Sequence, residues 1–297
     1  VDDYRWALVE HLLPFFADHP LTSITVEEVD RYKTAKTREG RLSPLSLNKT
    51  LTRLSQVLET AVEYKHLPSN PAAGKRRRAK VPKPARLHVE PEQLLALLTA
   101  AGNLEFAGGR KSQFEDIARP LLATLAGAGL RIGEALALEW RDVSLGGRTL
   151  QVRESKTDAG VREVDLTPAM VEELADLKAK LEGAKPRDPV FASVPKRGKN
   201  RGVLTAPDRH RVRDGILHPS VKSANVELER QGIDPIGPVT LHGLRRTFAS
   251  LRIASGADPV YVAAQLGHES PTFTMSIYAK AAKRRNRLTG PVREAFD

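Results

Sequence analysis

At the centre of the chain, the stretch Gly129-Leu130-Arg131-Ile132-Gly133-Glu134-Ala135-Leu136 sets a basic and an acidic residue at the start of an otherwise apolar helix. An arginine that enters a buried helix must be paired or must face a ligand, because an unpaired buried charge is costly. Glu134 lies one helical turn after Arg131 and is its natural partner. Two interpretations stay open from these residues alone: an ion pair that holds two helices together, or part of a ligand site.

Downstream of this helix, the alternation of polar and apolar residues predicts a β-hairpin. Its strands would be Thr149–Arg153 and Val161–Leu166, joined by the turn-forming residues Lys156–Gly160. Helices are predicted on both sides, from proline and glycine signals at their ends. They run over Pro91–Ala101, from Thr167 to Gly183, from Asp258 to Gly267, and from Ser270 through Tyr278. This part of the chain is therefore predicted to be mainly α with a small antiparallel β-sheet.

The first roughly 70 residues predict a separate helical domain, because apolar residues recur at helical spacing. After a start signal at Ser43 and Pro44, these residues are Leu47, Leu51, Leu54, Leu58 and Ala61. The segment Leu67–Pro71 breaks the pattern, and the basic run after it contains Pro82 and Pro84, which favour an extended connection. We therefore predict a helical domain over residues 1–74, a basic linker over 75–88 and a second domain over 89–297.

The positive charge of the chain is concentrated in two places. The 297 residues include 47 Lys and Arg against 36 Asp and Glu, a net charge of +11. Seven basic residues lie in Lys75–Arg86 and five in Lys280–Arg287, and neither run contains an acid. Such clusters on a near-neutral body indicate a polyanion partner. RNA, DNA, acidic lipids, or simply a solvated linker and tail remain open at this point.

Composition excludes several classes of protein. The chain has no cysteine, which rules out disulfides, thiolate catalysis, Cys-based zinc sites and iron–sulfur clusters. No stretch approaches the ~20 uninterrupted apolar residues that a membrane span needs. The first residue is Val1 and the start does not read as a signal peptide, so we expect that something precedes it.

Five further polar residues each have an ordinary structural explanation. His242 and Arg245 stand three apart and share one helix face, where a polar face or a helix cap would explain them. His268 follows Leu266-Gly267 and could serve as a helix C-cap. Lys156 lies in a turn, and Tyr278 falls among apolar residues typical of a core.

Taken together with Arg131, these residues predict phosphoryl transfer. Two arginines can grip one phosphodiester, and two histidines can donate hydrogen bonds to it or move a proton. A lysine can protonate a leaving alkoxide, and a tyrosine hydroxyl can attack phosphorus once its developing charge is neutralised. The sequence contains no carboxylate cluster typical of a two-metal nuclease and no glycine-rich nucleotide cradle. The chemistry indicated is metal-free and passes through a covalent bond between enzyme and DNA.

At these residues the sequence resembles the tyrosine recombinase, or phage integrase, family. The resemblance covers Glu90 to about Arg287, in the order of the family's motifs, and residues before Leu67 resemble its less diagnostic core-binding domain. The matching segments are Gly129–Leu136 with Leu138, Trp140, Asp142 and Val143, then Ser155-Lys156-Thr157, His242-Gly243-Leu244-Arg245-Arg246-Thr247, Leu266-Gly267-His268 and Tyr278. The family's fold would be a helical core-binding domain followed by an α/β-containing catalytic domain.

The resemblance implies a role for each residue of this set, without cofactor or metal. Arg131 and Arg245 would clamp the scissile phosphate, and His242 and His268 would add contacts to it. Lys156 would be the general acid for the 5′-hydroxyl leaving group. Tyr278 would attack and leave a 3′-phosphotyrosyl bond. Glu134 would orient Arg131.

The basic run is expected to bind the DNA backbone, through contacts that position a protein without reading sequence. Its contacting residues would be Lys75, Arg76, Arg77, Arg78, Lys80 and Lys83. The resemblance further implies two domains closing around double-stranded DNA, a tetramer on DNA and a DNA-bending accessory protein. The tail Ala281–Asp297 is the candidate link between copies, and contact of its basic residues with DNA is the alternative. A cytoplasmic protein of a prokaryote or phage, with no membrane partner, is expected.

Two positions depart from the family's pattern. Arg246 stands where many relatives carry a second histidine, and Lys280 replaces a histidine that is common two residues after the tyrosine. Neither belongs to the set that would perform the chemistry. An N-terminal arm-binding domain, which such integrases often carry, is not visible in the sequence.

Three functions are compatible with these features. A site-specific recombinase for DNA integration or excision predicts covalent complexes and strand exchange. A topoisomerase-like enzyme predicts covalent complexes without exchange between two sites. A non-catalytic DNA-binding relative predicts salt-sensitive binding alone. The complete set of Arg131, Lys156, His242, Arg245, His268 and Tyr278 argues against the third, and the separate helical N-terminal part favours the first over the second.

Overall fold

The computed structural model divides the chain into two compact units, Val1–Ala85 and Arg86–Asp297. It describes residues 2–82, 88–106, 110–111, 114–154, 160–181, 183–194 and 203–268. The predicted boundaries of the first domain and of the linker stay predictions. Within the described residues, no helix is long and apolar enough to cross a membrane.

The first unit is a small helical bundle. Its first segment, α1 Asp2–Arg5, continues through a π-helical stretch, Trp6–Leu12, into α2 Leu13–Phe16, and α3 Val26–Glu39 and α4 Pro44–Glu63 follow. The hydroxyls of Thr25 and Ser43 cap the first turns of α3 and α4. The predicted apolar stripe of α4 is buried, and it packs with α2 and α3 in one core.

The start of the basic run packs on this unit instead of extending away from it. Lys75–Arg77 form one 3₁₀ turn. The amide of Asn48 then pairs with both backbone groups of Ala79: Nδ2 donates to the carbonyl at 2.9 Å, and Oδ1 accepts from the N–H at 2.7 Å. The side chain of Asn48 thus satisfies both hydrogen-bonding groups of the Ala79 backbone. Pro82 and Pro84, further along the run, have no backbone N–H to donate.

The helices of the second unit are α5 Pro91–Gly102, α6 Glu115–Gly127, α7 Ile132–Ala137, α8 Pro168–Lys180, α9 Arg209–Val212, α10 His218–Arg230, α11 Leu241–Ala254 and α12 Pro259–Leu266. Helix α6 lies at the centre of the unit, and its apolar residues are almost completely buried. Helices α5, α8 and α11 pack against α6, and α10 packs against α5. A π-helical stretch, Arg213–Leu217, joins α9 to α10.

The predicted hairpin is present and belongs to a three-stranded antiparallel sheet. Strand β4 Thr149–Val152 pairs with β5 Arg162–Asp165, and the buried Leu150 and Val164 lie opposite one another. A two-residue strand, β3 Val143–Ser144, adds a third member that the sequence did not predict. A separate pair, β1 Glu105–Phe106 with β2 Arg110–Lys111, precedes α6. The chain is thus mainly α with a small antiparallel sheet, as predicted.

Candidate functional site

The expected pairing of Arg131 with Glu134 is present at the start of α7. Arg131 is the N-cap residue of this helix and Glu134 is its third residue. One carboxylate oxygen, Oε2, accepts the backbone N–H of Arg131 at 2.9 Å, and the other accepts from the Arg131 guanidinium at 2.5 Å. The carboxylate therefore caps the helix and orients the arginine side chain, 38% of which remains exposed.

Gly129 brings the chain into this helix in a conformation that other residues rarely adopt. Its φ is +64°, and a Cβ at this position would lie 2.5 Å from Phe248 and 2.9 Å from Leu266. Both the backbone angle and the close approach of α11 and α12 therefore require glycine. This turn leads into Arg131, the N-cap residue of α7.

Two further arginines surround Glu134, whose side chain is only 5% exposed. Arg162 of β5 donates from Nη2 to Oε2 at 3.1 Å, and Nη1 of Arg245 lies 3.9 Å from the same oxygen. Burial alone would raise the pKa of Glu134, but hydrogen bonds from Arg162 and Arg131 outweigh it and hold the pKa below its ordinary value. The carboxylate is thus ionised at neutral pH.

Arg245 projects from α11, whose N-cap is Thr240, and not His242. Its guanidinium donates to the carbonyl of Gly129 at 2.6 Å and to that of Leu266 at the end of α12. The side chain is 3% exposed, and burial together with Arg131 lowers its pKa to about 9. It stays charged at neutral pH and is fixed by backbone groups from two other segments.

The two histidines flank this group of arginines. His242 lies one turn before Arg245 on α11. His268 follows α12 and takes part in its C-cap, where the backbone N–H of His268 donates to the carbonyl of Ala263 at 3.1 Å. Desolvation, followed by the charges of Arg246 and Arg245, lowers the pKa of His242. Desolvation, followed by Arg245 and Arg131, lowers the pKa of His268 to about 4. Both imidazoles are therefore neutral at pH 7.

Hydrogen bonds between β5 and α12 fix the helix that carries His268. The side-chain oxygen of Gln265 accepts the N–H of Asp165 at 2.8 Å, and the Tyr261 hydroxyl donates to the Asp165 carboxylate at 2.6 Å. Arg162 adds a third bond, from Nε to the carbonyl of Gln265 at 2.6 Å. The sequence analysis did not identify Arg162 as a site residue. A signal was present, because Arg162 lies two residues before the buried Val164 in the same strand, and a basic residue on such a face needs a partner.

The remaining predicted residues fall into two groups. Lys156, Tyr278 and Lys83 lie outside the described residues. Of the basic run, Lys75, Arg76 and Lys80 are exposed on the first unit. The other two are partly buried: Arg77 pairs with Asp30 at 2.8 Å, and Arg78 donates to the carbonyl of Asn48 at 3.3 Å.

The arrangement around Glu134 is suited to binding an anion. Three arginines surround one carboxylate, so the cluster carries a net charge of +2 with both histidines neutral. Neutral imidazoles can donate one hydrogen bond each and can accept a proton. In the part of the chain that the structure describes, no group of three or more acidic or histidine side chains is placed to hold a metal ion.

Solved structures share this fold. The Tn1549 transposon integrase in complex with transposon right end DNA superposes with a TM-score of 0.69 at 21% identity, over 96% of this chain and 93% of that chain. A lambda integrase dimer bound to a COC′ core site gives a TM-score of 0.68 at 21% identity, over 97% and 90%. The second unit therefore has the fold of a tyrosine recombinase catalytic domain.

Sequence comparison identifies the family. Residues 88–285 match the sequence model of the phage integrase family, and the chain belongs to that family. It is similar to the prophage integrase IntR of Escherichia coli (strain K12), with 32% identity over 168 residues, 51% of this chain and 40% of IntR. The ICEBs1 integrase of Bacillus subtilis (strain 168) is 22% identical over 289 residues, 92% of this chain and 72% of that protein. The match to IntR thus spans two fifths of the length of that relative.

Proposed function

We propose that this protein is a site-specific tyrosine recombinase that cuts and rejoins duplex DNA, in the integration or excision of a mobile element. One observation carries the proposal. Arg131 and Arg245, which come from distant parts of the chain, face one buried carboxylate. His242 lies on the same helix as Arg245, and His268 follows the end of α12. A scissile phosphate of DNA is the anion that suits both this cluster of arginines and the phage integrase family.

Binding of the phosphate comes first. Arg131 and Arg245 would donate to the non-bridging oxygens, because a guanidinium fork matches two oxygens of one phosphate. Both side chains are oriented before DNA arrives, Arg131 by Glu134 and Arg245 by the carbonyls of Gly129 and Leu266. Donors fixed in this way stabilise the charge of the pentavalent transition state without reorganising.

Strand cleavage then transfers the phosphoryl group to the protein. The Tyr278 oxygen would attack phosphorus, the bond from phosphorus to the 5′ oxygen would break, and Lys156 would protonate that oxygen. The neutral histidines His242 and His268 would donate to the phosphoryl oxygens, and one of them would accept the proton of the tyrosine. The product is a 3′-phosphotyrosyl bond, which conserves the energy of the backbone bond. Attack by a 5′-hydroxyl on that bond reverses the step and rejoins DNA.

The state of assembly is proposed from related structures. One lambda integrase structure is a tetramer bound to a Holliday junction, with a TM-score of 0.68 to this chain at 19% identity. We expect four copies of this protein to act on two duplexes, linked through the tail Ala281–Asp297. An accessory protein that bends the DNA and a cytoplasmic location, for a protein of a prokaryote or phage, complete the proposal.

A covalent-trapping assay tests the chemistry. Wild type and Tyr278→Phe would be incubated in EDTA with a duplex that carries the junction of the protein's own element, nicked near the cleavage point. The proposal predicts an SDS-resistant protein–DNA adduct with wild type and none with Tyr278→Phe. Tyr64→Phe is the control and is expected to form the adduct, because it removes a tyrosine hydroxyl from an exposed position of the first unit. Tight binding by wild type without any adduct would contradict the proposal and favour a non-catalytic DNA-binding protein.

A further inference from the structure

Arg162 makes contacts on three elements although nothing in the proposed chemistry uses it. Its side chain is 7% exposed. Nη2 donates to Glu134 of α7 at 3.1 Å, Nε to the carbonyl of Gln265 in α12 at 2.6 Å, and Nη1 to the carbonyl of Gly160 before β5 at 2.7 Å. Each nitrogen of the guanidinium therefore binds a different segment of the chain.

This set of contacts mirrors that of Arg245. Both guanidinium groups face Glu134, and both donate to neighbouring carbonyls at the end of α12, Arg162 to Gln265 and Arg245 to Leu266. The end of a helix carries a partial negative charge that favours two cations. The segment that ends in His268 is thus held by one arginine from the sheet and one from α11.

A buried ion pair alone would not explain this geometry. Taking a guanidinium out of water costs several kcal/mol, and apolar residues of similar size often replace a buried pair without loss of stability. A lysine has one nitrogen and cannot reach three acceptors on three segments, whereas the planar fork of an arginine can. The arrangement is therefore suited to fixing the relative positions of α7, α12 and the hairpin.

We propose that Arg162 is a positioning residue, which holds Glu134 and the end of α12 so that Arg131, Arg245 and His268 converge on one phosphate. Because Arg162 is shielded, it acts through Glu134 and Gln265 and does not itself touch DNA. The inference rests on the function proposed above. Arg162 thus joins Glu134 as a buried residue that orients the groups proposed to bind the phosphate. Its loss is expected to affect the rate of cleavage more than the binding of DNA.

The test compares single-turnover cleavage at saturating DNA with the Kd for the same duplex, in the full chain. Arg162→Gln is expected to cleave about 10–100-fold more slowly, the usual effect of losing a residue that orients a ligand-binding group, while Kd changes less than about threefold. Arg119→Gln is the matched control, since Arg119 pairs with Glu173 between α6 and α8, away from Glu134. That variant is expected to cleave at close to the wild-type rate.

A double-mutant cycle shows whether Arg162 acts through Glu134. The rate of Glu134→Gln combined with Arg162→Gln is expected to lie within about threefold of Glu134→Gln alone, because residues that work as a unit are not additive. Fully multiplicative losses would contradict the proposed route. Arg162→Lys, which keeps the charge, is expected to fold and still to cleave slowly, and a wild-type rate in that variant would overturn the proposal.

Two outcomes separate this proposal from the proposed function. If both Arg162 variants fail to fold, Arg162 is needed for the fold itself and the proposal is wrong. If wild type forms no covalent adduct, the proposed function fails. The NMR titration of His268 then tests whether Arg162 acts at this site. Arg162 is one of the charges that lower the pKa of His268, so Arg162→Gln is expected to raise that pKa and Arg119→Gln to leave it unchanged. An unchanged pKa in Arg162→Gln would contradict a role at this site.

Discussion

Glu134 shows how a single residue sets the geometry of a site. Its buried carboxylate accepts hydrogen bonds from the backbone N–H and the guanidinium of Arg131 and from the guanidinium of Arg162. The guanidinium of Arg245 lies close to the same carboxylate. The bonds outweigh the burial that would otherwise favour the neutral acid. A small number of contacts therefore orients the groups that would meet a phosphate.

Replacement by lysine of Arg131 and Arg245, the two arginines proposed to bind the phosphate, should separate catalysis from stability. Arg131→Lys and Arg245→Lys are each expected to slow covalent cleavage about 10²–10³-fold, because a point charge cannot donate bidentately. Only Arg245→Lys should also lower the free energy of unfolding markedly, by roughly 1–3 kcal/mol, since it leaves the buried carbonyls of Gly129 and Leu266 unpaired. Arg187→Lys, at an exposed position of the same unit, is the control. Cleavage by Arg131→Lys at the wild-type rate would show that the guanidinium of Arg131 does not bind the phosphate bidentately.

Two glycines of the same segment make a matched pair for stability. Gly129→Ala is expected to lower the free energy of unfolding by roughly 2–4 kcal/mol, through its positive φ and the collision with Phe248 and Leu266. Gly133→Ala should be neutral or stabilise by about 0.5–1 kcal/mol, because Gly133 lies in α7 with open space around it. Denaturant unfolding of both variants checks the difference. An equal change in the free energy of unfolding for both variants would show that the turn at Gly129 is not tightly packed.

His268 should titrate far below an ordinary histidine. Burial and the charges of Arg245, Arg131 and Arg162, with His242 beside them, lower its pKa to about 4. The unfolded chain, with a pKa near 6.5, then binds more protons than the folded chain between about pH 4 and 6.5, so this residue makes stability rise with pH across that window. NMR titration of the imidazole measures the pKa, and His268→Gln should flatten the rise in unfolding free energy. A titration midpoint near 6.5 would contradict the packing of His268 among these arginines.

At the scale of elements, local signals explain which parts of the fold the sequence predicts. The helix starts at Ser43, Thr167 and Asp258 follow from caps and prolines whose effect is confined to one turn. The hairpin follows from alternation along β4 and β5. By contrast, the two-residue strand β3 is too short to produce a pattern.

Contacts between distant segments explain what the sequence could not predict about the site. The pairing of Arg131 with Glu134 follows from a spacing of three residues. The bond from Arg162 to Glu134 joins residues 28 apart, and its bond to Gln265 joins residues 103 apart, so neither can be seen before the fold is known. Likewise, a run of positive charge does not reveal that Asp30 lies opposite Arg77.

The basic run therefore has two kinds of residue, and their variants should behave differently. Replacing Lys75, Arg76 and Lys80 together by Gln is expected to reduce the slope of log K against log salt by up to about 0.9 for each phosphate that is no longer neutralised, with stability unchanged. Arg77→Gln is the matched variant within the run. It breaks the pair with Asp30 and should lower stability modestly while changing the salt slope less. Fluorescence anisotropy at several salt concentrations measures the slopes and denaturant unfolding the stability, and equal slopes in all proteins would exclude this run from the DNA interface.

For the whole molecule, the fold of the second unit and the sequence family agree. The second unit has the architecture of tyrosine recombinases, and 198 of its residues, 88–285, match the phage integrase family. A net charge of +11 suits a chain that binds a polyanion. We propose that this arrangement serves a covalent step at Tyr278.

Mapping the attachment point of trapped DNA tests this covalent step. The adduct from wild type would be digested with protease and nuclease, and the peptide that carries the nucleotide would be sequenced by mass spectrometry. We expect a nucleotide joined through its 3′ phosphate to the oxygen of Tyr278. A nucleotide attached to any other residue, or joined through a 5′ phosphate, would rule this step out.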